Sequence, residues 1–143
     1  ENIGLSREEI GKRIDFALDT VNMQNFRYST PTKLSGGQKQ RLSIARAYIK
    51  NAPIMIMDDS VSAVDVKTEE TILDNIKKYR NGKTTIVIAS RVSTVQHLNR
   101  VLVLNDGRVE AFDTHENLLK ISPTYAKMVF LQELEKEVEG GAL

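Results

Sequence analysis

The sequence contains no cysteine, which excludes disulfides and thiolate metal sites and fits a cytosolic setting. It contains no apolar run of about 18 residues, so no segment reads as a membrane-spanning helix. It has no excess of either charge. Twenty Lys and Arg stand against nineteen Asp and Glu, for a net charge of +1, and the charges are spread along the chain. That balance leaves no electrostatic footprint for nucleic acid or for an acidic substrate. The opening "ENIGLS" has neither an initiator Met nor a signal peptide, and reads as a piece of something longer. Also missing is a glycine-rich loop ending in Lys-Ser or Lys-Thr, the usual cradle for nucleotide phosphates. The "NGKTT" of residues 81–85 is no substitute, because no glycine-rich loop precedes it and Lys83 leads into a strand.

What is present suits a globular α/β fold. The 143 residues are 41% hydrophobic and 27% charged, enough for one domain with a core. Ser6 and Glu9 stand at capping-box spacing before Ile10, Ile14, Leu18 and Val21, which predicts an amphipathic helix over 7–22. "FRYSTPTK" interrupts the pattern. Ser35 and Gln38 repeat the capping-box spacing before a second helix, which Asn51 and Pro53 end. "IMIM", Ile54–Met57, has the length of a buried parallel strand. A helix over 67–80, a strand over 84–89, a short helix near 93–98 and the strand "RVLVL" follow. "NDG", Asn105–Gly107, predicts a hairpin turn, with "RVEAF" returning beside it. Helices over 115–119 and 122–138 finish the chain. The rhythm is that of a mostly parallel sheet with flanking helices, beside a helical lobe.

The densest chemistry lies in "KLSGGQKQRLSIARAYI", Lys33–Ile49. The first turn of a helix leaves backbone N–H groups without partners, and these can hold an anion. Gly36 and Gly37 let oxygens approach the backbone; the Ser35 hydroxyl and Gln38 amide can add hydrogen bonds. Taken alone, Ser-Gly-Gly-Gln is more often a loop and a cap. Asp58 and Asp59 end the strand "IMIM", at the carboxyl edge where α/β sheets place ligands. One such carboxylate can hold Mg²⁺ through water and a second can act as a general base. Alone, the pair could equally stop a strand. Asp65 precedes a helix and reads first as its cap. Ser90 ends a strand in the position parallel to Asp58. His97 and His115 lack metal-ligand spacing, and His115 reads as a surface residue in a first helical turn.

The ordered set "LSGGQKQR", "IMIMDDSVSAVD" and "IVIASRVSTV" resembles the C-terminal part of the nucleotide-binding domain of ATP-binding cassette transporters. The likeness runs from about Leu34 nearly to the end, and its later segments resemble exporters. Residues 1–33 look more like the helical lobe of importer-type ATPases. The resemblance implies a partial P-loop NTPase fold, with 1–50 as a helical subdomain, 51–139 as part of the α/β core and 140–143 as a tail. The Walker A loop of the family is absent. Leu34, Ser35, Gly36, Gly37 and Gln38 would be the signature that contacts ATP. Asp58 would end the Walker B strand and hold Mg²⁺; Ser62–Asp65 would be the D-loop. Asp59 stands where the family has a catalytic glutamate, and Ser90 where it has a switch histidine.

Those two departures imply a degenerate catalytic site. Aspartate reaches roughly 1.5 Å less far than glutamate, and a misplacement of about 1 Å can cost on the order of 100-fold in rate. Serine has no ring to bridge ATP and the opposing subunit. Ser60 and Val61 replace the usual Pro-Thr, so the turn loses a fixed φ. The implied parent is a heterodimeric exporter at the cytoplasmic face of the cell membrane. Its second nucleotide-binding domain would supply Walker A, and its transmembrane domains would carry the substrate. The chain itself could instead be a structural or regulatory piece without turnover. A relative acting in translation or DNA maintenance fits less well, because such proteins keep the glutamate and carry basic linkers.

Overall fold

The computed structural model describes residues 4–140; residues 141–143 of the expected tail lie outside them. Two compact units are present, one running to Ile88 and the other starting at Ala89.

The first unit holds α1 (Arg7–Thr20), α2 (Gly36–Ile49), β1 (Ile54–Asp58), α3 (Val66–Tyr79) and β2 (Thr84–Ile88). Each long helix starts on an oxygen-bearing side chain. Ser6 accepts from the amide of Glu9, Ser35 from Gln38, and Asp65 from Thr68. The box expected at Ser6 is closed on this side; the Glu9 carboxylate turns forward to Arg13, 3.2 Å away and one turn along α1. Asn22 and Asn51 stop α1 and α2 with φ of 54° and 51°, a left-handed conformation that asparagine tolerates.

β1 and β2 pair in parallel, with Ile54 opposite Thr84 and Asp58 opposite Ile88. Met55 and Met57 enter a core with Val21, Ile44, Ile72 and Ile76. The alternate residues face outward: Ile54 is 57% exposed and Ile56 62%. An apolar run therefore marks a strand that is buried on one face only, not on both as its composition suggests. Each residue on that core side removes from water an area stabilising by roughly 1.5–3 kcal/mol.

The second unit holds α4 (Val92–Val95), β3 (Val101–Asn105), β4 (Arg108–Asp113), α5 (His115–Ile121) and α6 (Pro123–Gly140). β3 and β4 form an antiparallel hairpin, with a register shift between Val103 and Leu104. Asp106 and Gly107 both have positive φ, 49° and 72°, as a two-residue turn between twisted strands requires. The described strands thus make two sheets of two, β1-β2 parallel and β3-β4 antiparallel. The mostly parallel expectation fails here because a two-residue turn can only reverse the chain.

Val92, Val101, Val103, Leu118 and Tyr125 form the core of this unit. His115 is tied to it. Its Nδ1 lies 2.9 Å from the Tyr125 hydroxyl, and the two rings meet edge to face. It is half-buried, a correction to its reading as a surface residue. Gly140, expected in the tail, ends α6.

Glu110 joins β4 to the start of α6. One carboxylate oxygen accepts from the Ser122 hydroxyl at 2.5 Å, and the other from Thr124 Oγ1 at 2.6 Å and Asn105 Nδ2 at 3.0 Å. The Ser122 bond, then the Thr124 bond, hold the Glu110 pKa below its ordinary value of 4.5. A carboxyl group with a depressed folded pKa stabilises the fold above its unfolded pKa and loses that contribution as pH falls through the folded one. Glu110→Gln is therefore expected to flatten the acid limb of a plot of melting temperature against pH below about 4.5, with little change at pH 7 in its slope. An acid limb as steep as that of the wild type would rule the network out as its source.

Candidate functional site

Of the site residues singled out in the sequence, Leu34–Gln38, Asp58, Asp59 and Asp65 belong to the first unit, at the start of α2 and in and around the loop after β1, and Ser90 does not. The capping box of α2 is complete: Ser35 Oγ accepts from the Gln38 amide at 3.3 Å and Gln38 Oε1 accepts from the Ser35 amide at 2.9 Å. This reciprocal pairing occupies acceptors. The Ser35 O–H, the Gln38 NH₂ and the amides of Gly36 and Gly37, which have no carbonyl one turn earlier, are all donors. The helix start is thus a donor-rich patch aimed outward, at the positive end of the helix dipole. Nothing lies within 4 Å of where a Gly36 Cβ would be, so a ligand oxygen can come close to the backbone. Leu34, just before the cap, is 6% exposed; its side chain anchors this start in the core.

Gly37 has a different reason to be glycine. A Cβ there would sit 2.5 Å from the carbonyl oxygen of Ala63. The start of α2 is in backbone contact with the 59–65 loop. Gln40, one turn further along, reaches the same loop. Its Oε1 accepts from the Ala63 amide at 3.0 Å, and its Nε2 donates to Ser62 Oγ at 3.3 Å.

Asp58 and Asp59 are exposed at the carboxyl end of β1. The Asp59 amide donates to Ile88 O at 3.0 Å, extending the parallel ladder by one rung. Its backbone then turns left-handed, at φ 45°, which aspartate tolerates better than most side chains. Its carbonyl accepts from the Ser62 hydroxyl at 3.0 Å. Among the described residues no three His, Cys, Asp or Glu side chains gather as a metal site. A hard cation that keeps its water needs only one or two carboxylates, so Asp58 with its neighbour suffices chemically for Mg²⁺.

Asp65 caps α3. Hydrogen bonds from Thr68, side chain first and backbone second, hold its pKa below the usual carboxylate value, with Arg41 adding a smaller pull. Arg41 in turn donates to Asn22 O at 3.2 Å. Ser90 belongs to the second unit, where its carbonyl accepts from Gln132 Nε2 at 2.9 Å. The sequence places Gln40 only in Lys39–Arg41, the continuation of the signature; its bonds to Ser62 and Ala63 have no local signal.

Comparison with known proteins points to a family. Residues 1–62 match the ABC transporter family. The chain is 48% identical over 109 residues, 76% of its length, to a probable multidrug resistance ABC transporter ATP-binding/permease protein of Bacillus subtilis. It is 41% identical over 132 residues, 85% of its length, to an ATP-dependent lipid A-core flippase of Bordetella avium. The chain spans 19% and 22% of those two relatives. Its fold superimposes on a bacterial Atm1-family ABC exporter with ATP bound at a TM-score of 0.78 and 35% identity, over 90% of this chain and 24% of that one. Among the described residues no helix is long and apolar enough to cross a membrane. The ordered motifs and these likenesses identify the chain as an ABC-transporter nucleotide-binding domain with exporter-family homologues.

Proposed function

We propose that this chain supplies the signature side of an ATP site completed across a head-to-tail dimer, and the weak Walker B side of a second, degenerate site. The observation that carries the reading is the donor-rich patch at the start of α2. Ser35, Gly36, Gly37 and Gln38 offer O–H and N–H groups, and the Ser35 and Gln38 side-chain oxygens each already accept one hydrogen bond, which suits the terminal phosphate of a nucleotide. No matching phosphate cradle lies among the described residues, so the partner domain brings it. Bound Mg²⁺-ATP would supply the phosphoryl group and the charge neutralisation for its transfer. In the degenerate site Asp58 would hold the cation through water. Asp59 would occupy the base position with a short side chain on a left-handed backbone, and Ser90 would occupy the switch position without a ring. Both features favour slow turnover there. Asp65 would keep the 62–65 loop in register by capping α3.

In this reading the partner is a non-identical nucleotide-binding domain, and the pair drives transmembrane domains that export a substrate from the cytoplasmic face of a membrane. A second reading, a structural or regulatory domain without turnover, is favoured by the geometry at Asp59. It shares the nucleotide contact and differs only in the chemistry.

Calorimetric titration of Mg²⁺-ATP onto the chain, alone and mixed with a partner domain carrying an intact Walker A loop, tests the proposal. Affinity in the mixture should exceed that of either component by about tenfold or more, worth about 1.4 kcal/mol. Equal affinity with and without the chain would overturn it. Tight binding to the chain alone would mean that a cradle exists where none is described.

A further inference from the structure

The helix that carries the donor patch is hydrogen-bonded, through one side chain, to the loop that carries Asp59. We infer that Gln40 is a positioning residue. It holds the 59–65 loop, and through it the backbone of Asp59, in register with the start of α2. The inference deepens the nucleotide reading above. The clamp itself stands without it.

The connections form a chain. Gln40 grips the loop twice, as acceptor for the Ala63 amide at 3.0 Å and as donor to Ser62 Oγ at 3.3 Å. The Ser62 hydroxyl donates onward to the Asp59 carbonyl at 3.0 Å. Asp59 is pinned on its other side by its amide bond to Ile88 O, 3.0 Å. A planar primary amide is the side-chain group that presents an acceptor and a donor side by side from one stem. A carboxylate could make only the first bond and an amine only the second. Beneath the amide, the absent Cβ of Gly37 lets the backbone of α2 meet the Ala63 carbonyl directly. Polar contacts hold Ser62 and Ala63 directly and Asp59 through Ser62, and the steric contact at Gly37 bears on Ala63 as well.

The consequence is mechanical. A phosphate held by Ser35–Gln38 draws on the first turn of α2, and any shift of that turn reaches the loop through Gln40. The reverse holds when the loop moves. The signature of one nucleotide site would thus be linked inside a single chain to the Walker B edge of the other. A networked side chain with two defined partners can carry such coupling, and the coupling is measurable by removing it.

Amide hydrogen exchange on the whole chain provides the test, with Gln40→Met and Gln40→Glu. Methionine keeps the stem and removes both bonds; glutamate keeps the acceptor for Ala63 and loses the donor to Ser62. In the free chain, Gln40→Met should speed exchange of the Ala63 amide by about tenfold while residues 42–48 of α2 exchange as before. Gln40→Glu should leave Ala63 protected. A global rise in exchange would show an ordinary stability defect, and unchanged exchange at Ala63 would show that the clamp is absent; either overturns the inference. With partner domain and Mg²⁺-ATP added, wild type should gain protection at Gly36–Gly37 and at Ala63 together, and Gln40→Met only at Gly36–Gly37. Protection at Ala63 that persists in Gln40→Met would refute the coupling. No gain at Gly36–Gly37 in wild type would instead refute the nucleotide reading, with the free-chain comparison still deciding the clamp.

Discussion

Replacing Arg80 by methionine should cost about 3 kcal/mol of stability and lower the melting temperature by about 10 °C. Arg80 follows α3 and is only 3% exposed. Its Nε donates to Thr85 Oγ1 at 3.1 Å, and its Nη2 to Ala52 O at 3.0 Å and Thr84 O at 3.2 Å. One guanidinium thus joins the end of α3, the residue pair before β1 and the start of β2. The first rung of the parallel pair, Thr84 N to Pro53 O at 3.1 Å, lies beside it. Methionine preserves most of the stem volume, so the apolar packing of the arginine methylenes is retained and the loss reports the hydrogen bonds. It leaves two carbonyls and a hydroxyl without their donor in a buried place, and each bond to a charged group is worth about 1.5–3 kcal/mol. The sum stays below a simple total because Nη1 is buried without a hydrogen-bond partner, and its desolvation penalty is relieved. Arg80→Lys, with its charge but no planar fork, should recover part of the loss. Thermal unfolding by circular dichroism checks both; a Met variant melting within about 1 °C of wild type would mean the guanidinium contributes no net stability.

Arg80 also shows where the sequence stops being legible. Local chemistry was readable because its partners are three or four residues away. Ser6, Ser35 and Asp65 find their acceptor roles within one turn, and Asp106-Gly107 carries its own turn geometry. The parallel β1-β2 pair followed from two apolar runs separated by a helix. Arg80 reads as one more cation after Lys77 and Lys78, yet one of its partners is Ala52, 28 positions back. Gln40 reads as part of the signature's continuation, yet its partners lie 22 and 23 positions on. Glu110 looks like an ordinary exposed strand residue until α6 brings Ser122 and Thr124 to it. Such pairs have no period and no spacing rule, because the separation is set by the fold. The glycine pair was legible as a pair. That its two members serve different ends was not, since only the approach of Ala63 distinguishes them.

Gly37→Ala and Gly36→Ala should therefore diverge, although the residues are adjacent in one helix turn and alanine improves intrinsic helix propensity at both. At position 37 the new methyl would lie 2.5 Å from a backbone oxygen. Neither atom is the end of a flexible side chain, so α2 or the 59–65 loop must move as a body. Overpacking of this kind costs typically 1–3 kcal/mol; about 2 kcal/mol is expected here, with a melting temperature lower by about 6 °C. The displaced loop would strain the Gln40–Ala63 bond and shift the Asp59 backbone, so nucleotide binding in the mixed titration should weaken as well. At position 36 the methyl enters open space. Stability should stay within about 0.5 kcal/mol of wild type, while the methyl crowds the face that a phosphate would approach and weakens Mg²⁺-ATP binding alone. Melting curves and the titration together separate the two roles. If Gly37→Ala melts like wild type, the start of α2 is free of the loop, and both glycines must then be explained by a ligand. If Gly36→Ala leaves nucleotide affinity in the mixture unchanged, the open face is not where the phosphate sits, and the donor patch loses the role proposed for it.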